Sequence, residues 1–165
     1  MSEKKINISA GLLMYRVVKE NLEVFLAHPG GPFFKNKDAG HWSIPKGEPD
    51  SEESDLLITA KREFEEETGI LPEASEFISL GTILQKGGKT VHSWAFEGDL
   101  EQGYQHKSNI FKTEWPPNSG KQMMFMEIDR AEFFTANGAK KKIKQSQIEF
   151  IERLEKYLRE KSVIT

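Results

Sequence analysis

The 165-residue sequence contains no cysteine. Disulfides, zinc–thiolate centres and thiol nucleophiles are therefore excluded. An excess of one charge is also missing: 23 lysines and arginines face 26 aspartates and glutamates, for a net charge of −3. No strong field draws such a chain to nucleic acid or anionic lipid, so a phosphate-bearing ligand needs local help from a metal ion or placed basic groups. Long hydrophobic runs are absent too. The apolar stretch from Ala10 to Tyr15 is too short for a secretory h-region with its cleavage site, and far too short to span a bilayer. With a mean hydropathy of −0.57, a cytoplasmic protein with no membrane association is expected. There is no internal repeat and no low-complexity segment.

What remains is enough for a folded core. Hydrophobic residues make up 37% and aromatics 10%, above the composition of a disordered chain. The length suits one domain, expected over residues 1–165. Apolar and β-favouring residues predict strands over Ile6 to Val18 and Leu22 to Ala27, joined at Lys19-Glu20-Asn21. His28-Pro29-Gly30-Gly31-Pro32 breaks the pattern, and residues 33–40 read as an exposed loop. A short strand, His41 to Ile44, is expected to end at Pro45 and Gly47. Ser54 is a candidate N-cap with Asp55 in the first turn of a helix. Leu57, Ala60 and Phe64 recur at helical spacing, and Gly69 marks the stop. Further strands are expected over Phe77 to Ile83, Thr90 to Phe96 and Met123 to Ile128, with Gly98 to Pro117 irregular. Asp129 to Phe134 is expected to begin a short helix. Gln145 to Arg159 is amphipathic, with Ile148, Ile151, Leu154 and Leu158 on one side. This order points to an α/β protein, a mixed sheet covered by helices.

The chemically informative stretch is Arg62-Glu63-Phe64-Glu65-Glu66-Glu67-Thr68-Gly69-Ile70. With Glu63 as origin, Glu67 falls near +40° and Glu66 near −60°, so three carboxylates share an arc of about 100°, while Glu65 points away. Leu57, Ala60 and Phe64 form an apolar stripe beside them. Like charges at these spacings cost ~0.2–0.5 kcal/mol per pair when exposed, and more in a cleft. Arg62 offsets part of this, and a divalent cation would offset far more. Magnesium prefers oxygen ligands and keeps several waters, so such a face suits it, and manganese can substitute. An acidic run alone also reads as a solvated helix face.

The surrounding residues resemble the Nudix hydrolases, whose signature is G-x5-E-x7-R-E-U-x-E-E-x-G-U with U a bulky apolar residue. Gly47 and Glu53 match its first part. Arg62, Glu63, Phe64, Glu66, Glu67, Gly69 and Ile70 match its second. Between Glu53 and Arg62 stand eight residues rather than seven, which touches the loop and the role of Glu53 but not the spacing of the helical acids. Trp42-Ser43-Ile44-Pro45-Lys46-Gly47 is similar to the strand and turn that lead into this box. Ser9 to Tyr15, His28 to Phe33 and Glu114 to Pro117 resemble a bacterial subgroup of nucleoside triphosphate pyrophosphohydrolases. The resemblance implies a Nudix-type α/β/α sandwich with a mixed β-sheet. It also implies Mg²⁺-dependent hydrolysis of a diphosphate linkage in a nucleoside diphosphate joined to another group. It places metal on Glu63, Glu66, Glu67 and the Gly47 carbonyl, gives Glu66 or Glu63 the water, and has Arg62 hold the acids. Glu53 would act through a metal-bound water or pair with Arg62.

Outside the box the readings are open. Lys46 could reach a phosphate or be a solvated turn lysine. Glu127 could serve as an extra acid that acts as base, or cap a helix. Phe33, Phe34, Trp42 and Trp115 could stack on a base or pack in the core. His28, His41, His92 and His106 have no metal-ligand spacing. Lys140 to Lys144 is a basic patch, read as a solvated face or a weak attractor of a nucleic-acid tail. Gly87-Gly88 is a turn, not a phosphate loop. The expected partner is a small nucleotide-type diphosphate substrate, with no stable nucleic-acid complex and a homodimer left open. The competing functions are a catalytically silent nucleotide-binding module of the same fold and an RNA 5′-end pyrophosphohydrolase.

Overall fold

The computed structural model describes residues 7–165. The charged segment Met1 to Lys5 and the expected strand start at Ile6 lie outside the described residues. The chain forms β1 (Ile8–Val18), β2 (Asn21–Pro29), β3 (Lys46–Gly47), α1 (Leu56–Thr68), β4 (Ile78–Leu84), β5 (Thr90–Glu97), β6 (Ile110–Glu114), β7 (Gln122–Met126), β8 (Ile128–Thr135), α2 (Ala136–Lys142) and α3 (Ile148–Glu160). Among the described residues, no helix is long and apolar enough to cross a membrane.

The main sheet has the order β4-β5-β1-β2-β8, with β3 added to β1. β1 runs parallel to β5 and antiparallel to β2 and β3. It is buried on both faces, which explains its nearly continuous apolar run. Leu13 and Tyr15 join Val24, Leu26 and Val91 on the face that α3 covers with Phe150, Ile151, Leu154 and Leu158. Ala10, Leu12 and Met14 join Phe25 and Phe96 on the opposite face, which α1 covers with Ala60 and Phe64. The architecture is the α/β/α sandwich expected.

Helix α1 starts one residue later than Ser54 would set it. Asp55 is the N-cap and accepts from the Leu57 amide at 2.9 Å. Gly69 ends the helix in the left-handed conformation (φ 76°), and its amide bonds the Glu65 carbonyl. Burying the Phe64 ring stabilises by about 1.5–3 kcal/mol, several times the repulsion of one exposed acid pair. The apolar stripe therefore holds the helix against its own acids.

Three expected elements are corrected. His41 to Ile44 makes only isolated bridges, Ala27 with Ser43 and Trp42 with Ile143. The paired strand is the next segment, where Lys46 and Gly47 face Gly11 and Ala10. Within the irregular stretch, Ile110–Glu114 forms β6 and pairs with β7 in a separate hairpin. Asp129 to Phe134 is strand β8 rather than a helix start, paired along β2. The ring of Phe133 packs on Phe25 at 5.0 Å and that of Phe134 on Trp42 at 4.9 Å. Two-sided packing overrides the helix-favouring Ala131 and Glu132 that precede them.

Asp55→Ala lowers the unfolding free energy by about 1 kcal/mol. Ser54→Ala leaves it within about 0.5 kcal/mol. Urea denaturation of the two variants checks this.

Candidate active site

The acids of α1 are organised by Arg62. Its Nε and Nη2 donate to the two oxygens of Glu53, both at 2.8 Å. Its Nη1 donates to Glu63 at 2.9 Å and to Glu66 at 3.1 Å. Its Nη2 also reaches the Glu48 carbonyl at 3.1 Å. The bidentate pair with Glu53 is the strong one, because a planar fork matches a carboxylate. Arg62 pulls the Glu53 carboxyl down to about 2. Glu53 in turn, ahead of Glu63 and Glu66, raises the guanidinium further above its ordinary value. Thr59 Oγ1 and the Asp50 amide complete the cage of Glu53. The extra residue before Arg62 therefore leaves Glu53 in place, and its observed partner is Arg62.

Glu67 lies on the side facing β3, where it accepts from the Lys46 amide at 2.9 Å. Burial pushes its carboxyl up to about 8. The Lys46 amide opposes that shift, and Glu63 and Glu127 add to it. Glu63 is also raised, first by burial, with Arg62 opposing. Glu127 acts on both carboxyls, so the junction between β7 and β8 brings a fourth acid to the box. Its backbone is fixed by bonds from its amide to the Asn109 carbonyl at 2.8 Å and from the Gly30 amide to its own carbonyl at 2.7 Å. Glu65 is exposed, as its angular position required.

Gly47 packs directly on Glu63. A Cβ built there would sit 2.1 Å from Glu63 Cδ. Only a glycine lets this carboxylate lie against the strand as it does. Glu63, Glu66 and Glu67 each have one oxygen engaged by Arg62 or the Lys46 amide. The second oxygen of each accepts no hydrogen bond among the described residues. That donor set, with the glycine cradle, fits a hard divalent cation. The carboxylates do not form a ready-made cage: among the described residues no three His, Asp or Glu side chains stand at metal-holding spacing. Gathering an ion there takes rotation of these side chains.

The remaining expected residues are dispersed. Lys46 is half-buried beside the acids, and burial lowers its ammonium to about 8, with Lys89 and Lys144 adding to the effect. Trp42 is corrected: it is 1% exposed, its indole N–H bonds Asp38 at 2.8 Å, and Phe134 and His28 pack edge-on to it. It is a core residue with no face left for a base. Phe34 is exposed on its loop, with His41 as its ring neighbour. Phe33 is exposed and meets Trp115 edge to face at 5.3 Å. Beside Glu66, a cavity of about 510 Å³ opens between α1 and Lys107, Ser108 and Asn109. The Asn109 amide bonds the Glu66 carbonyl at 3.1 Å. Sequence reasoning missed these three residues because they precede β6 in a stretch without periodicity.

The whole arrangement matches one family. The NUDIX domain profile matches residues 7–154, and the chain belongs to the Nudix family. It is a hydrolase of phosphorus-containing acid anhydrides, of the class that breaks pyrophosphate linkages in nucleotide derivatives. Comparison with curated protein sequences gives no match. Solved structures share the fold at low identity. A Caenorhabditis elegans Ap4A hydrolase in a binary complex is 21% identical with a TM-score of 0.66, covering 92% of this chain and 98% of its own. The NUDIX domain of Shewanella oneidensis NrtR, complexed with ADP-ribose, is 15% identical with a TM-score of 0.65, covering 94% and 90%. A mutT/nudix family protein from Listeria innocua is 14% identical with a TM-score of 0.58, covering 96% and 98%.

In a Gly47→Ala variant the new methyl meets the end of a flexible side chain, so the fold survives and Glu63 is displaced. Its melting temperature stays close to wild type, while Mn²⁺ affinity, read by water-proton relaxation, falls at least about tenfold.

Proposed function

We propose that the protein hydrolyses a diphosphate linkage in a nucleotide derivative with the help of Mg²⁺, for which Mn²⁺ can substitute. The observation that carries this reading is the convergence of Glu63, Glu66 and Glu67 on one helix face, with Gly47 held against Glu63. The residues that would hold the ion are these three carboxylates and the Gly47 carbonyl. When bound, the ion neutralises phosphate oxygens and lowers the pKa of water.

The protein side of the reaction follows from the geometry. Arg62 keeps Glu63 and Glu66 from splaying apart, and Glu53 keeps Arg62 in place. Arg62 is thus a positioning residue rather than a substrate ligand. A carboxylate of this set takes a proton from the attacking water as the new P–O bond forms, and the bridging P–O bond breaks to release the second phosphate product. Glu66 and Glu63 are candidates for that base. Glu127, on a separate strand junction but acting on the same acids, is the third. The cavity beside Glu66 and Asn109 is the adjoining space for substrate. The retained acid set disfavours a silent binding module.

A panel of nucleoside triphosphates, dinucleoside polyphosphates and nucleotide sugars, assayed with Mg²⁺, gives at least one hydrolysed compound, and EDTA abolishes turnover. For that compound, Glu66→Gln and Glu67→Gln each lower kcat/KM at least about a hundredfold. Wild-type rates in both variants contradict the reading. Reaction in H₂¹⁸O places the label on the attacked phosphorus.

A further inference from the structure

The last turn of α1 carries Glu66 and Glu67, and it ends in carbonyls that the helix cannot satisfy by itself. One short segment, residues 104–109, brings partners to them. The Asn109 amide donates to the Glu66 carbonyl at 3.1 Å. The Tyr104 hydroxyl donates to the Thr68 carbonyl at 2.5 Å. Burial pushes the Tyr104 phenol up to about 12, so at neutral pH the hydroxyl keeps the proton it donates. Gly69 lets the segment come this close: a Cβ there would lie 3.2 Å from the Lys107 carbonyl oxygen.

The same segment grips the chain around Glu127. That residue stands between β7 and β8 and belongs to neither strand. Its amide donates to the Asn109 carbonyl at 2.8 Å. The Ile128 amide donates to Ser108 Oγ at 3.0 Å, and Ser108 in turn donates to the Asn109 carbonyl at 2.9 Å. His106 Nε2 donates to the Ile128 carbonyl at 2.6 Å. This nitrogen carries a proton, because a carbonyl can only accept. The other ring nitrogen, Nδ1, lies 3.3 Å from the Tyr104 hydroxyl. A continuous path therefore runs from Thr68, next to Glu67, through Tyr104 and His106 to Ile128, next to Glu127.

A carboxylate acts on a reacting water only within hydrogen-bond reach, and a misplacement of about 1 Å can cost on the order of a hundredfold in rate. Glu127 and the acids of α1 stand on separate elements, so their spacing is set by whatever bridges the two. The Asn109 bridge is made of main-chain groups. The second bridge depends on the side chains of Tyr104 and His106. We infer that Tyr104 and His106 are positioning residues for the hydrolysis: they hold the β7–β8 junction against the last turn of α1, and so fix Glu127 at its working distance from Glu63, Glu66 and Glu67. The inference rests on the reading of α1 as the hydrolytic site and adds the residues that set the place of its separately carried acid.

Two measurements test it. In the first, kcat and KM are determined at saturating Mg²⁺ on a compound that the wild type cleaves. Glu127→Gln lowers kcat at least about tenfold. Tyr104→Phe keeps the ring and removes only the donor; it lowers kcat at least about fivefold and leaves KM within about twofold of wild type. His106→Ala does the same, and His106→Gln, whose amide still donates toward Ile128, restores most of the rate. The double variant His106→Ala/Glu127→Gln is no slower than Glu127→Gln alone, because a residue acting through Glu127 has nothing left to position. Losses that multiply in the double variant, losses confined to KM, or wild-type kcat in Tyr104→Phe and His106→Ala overturn the inference. In the second measurement, amide hydrogen exchange at Glu127 and Ile128 is at least about tenfold faster in His106→Ala than in the wild type, while the Phe64 amide within α1 keeps its rate. Exchange at Glu127 and Ile128 that ignores His106 overturns the bridge. Failure of the hydrolytic reading looks different: no compound is cleaved, while exchange at the junction still follows His106.

Discussion

The mutual repulsion of three carboxylates on one turn of helix is the constraint around which this molecule is arranged. Glu63, Glu66 and Glu67 are confined to one side of α1 by the helical repeat. Phe64 and Ala60, buried against Phe25 and Phe96, fix that side relative to the sheet. The acids cannot rotate into solvent without lifting the apolar stripe from the core. The protein answers the crowding in two ways. Arg62 spans Glu63 and Glu66 while anchored on Glu53, and the Lys46 amide takes one oxygen of Glu67. Both leave part of each carboxylate unengaged, and that remainder is what a divalent ion would use.

The rest of the fold serves to bring three separate segments to this helix. The central strand β1 accepts β3 at Ala10 and Gly11, and so carries Gly47 onto Glu63. The junction of β7 and β8 carries Glu127 there, held through Asn109 and Gly30. Asn109 also bonds the backbone of Glu66, so the same short segment touches two of the acid-bearing elements. On the far face, Gln147 sews the residues before β3 to the turn between β4 and β5.

What could be read from the sequence was what is decided locally. The span of α1, its glycine stop and the angular separation of Glu65 from the other acids follow from the helical repeat, and the structure bears them out. The β1–β2 hairpin follows from composition and a polar turn. Elements decided by distant partners were misread. β8 carries Ala131 and Glu132, helix-favouring residues, yet Phe133 and Phe134 pack on opposite faces of a sheet that only the folded chain creates. β6 was invisible because its residues alternate between exposed and half-exposed positions, with no apolar period to see. Trp42 offered no local sign of whether its ring met a base or the core; the Asp38 bond and the Phe134 contact settle it as core. The bonds of the buried Gln147 side chain to Ile44 and Gln85 join segments far apart in the chain, so no spacing rule could have found them.

The central claim is that the acid face of α1 holds a divalent cation. Anomalous scattering from a crystal soaked in Mn²⁺ tests it directly. The account predicts a peak bounded by Glu63, Glu66, Glu67 and the Gly47 carbonyl, with the Arg62 guanidinium still on Glu53. Saturating Mn²⁺ that leaves this place without a peak, with the Arg62 contacts to Glu63 and Glu66 unaltered, would contradict it.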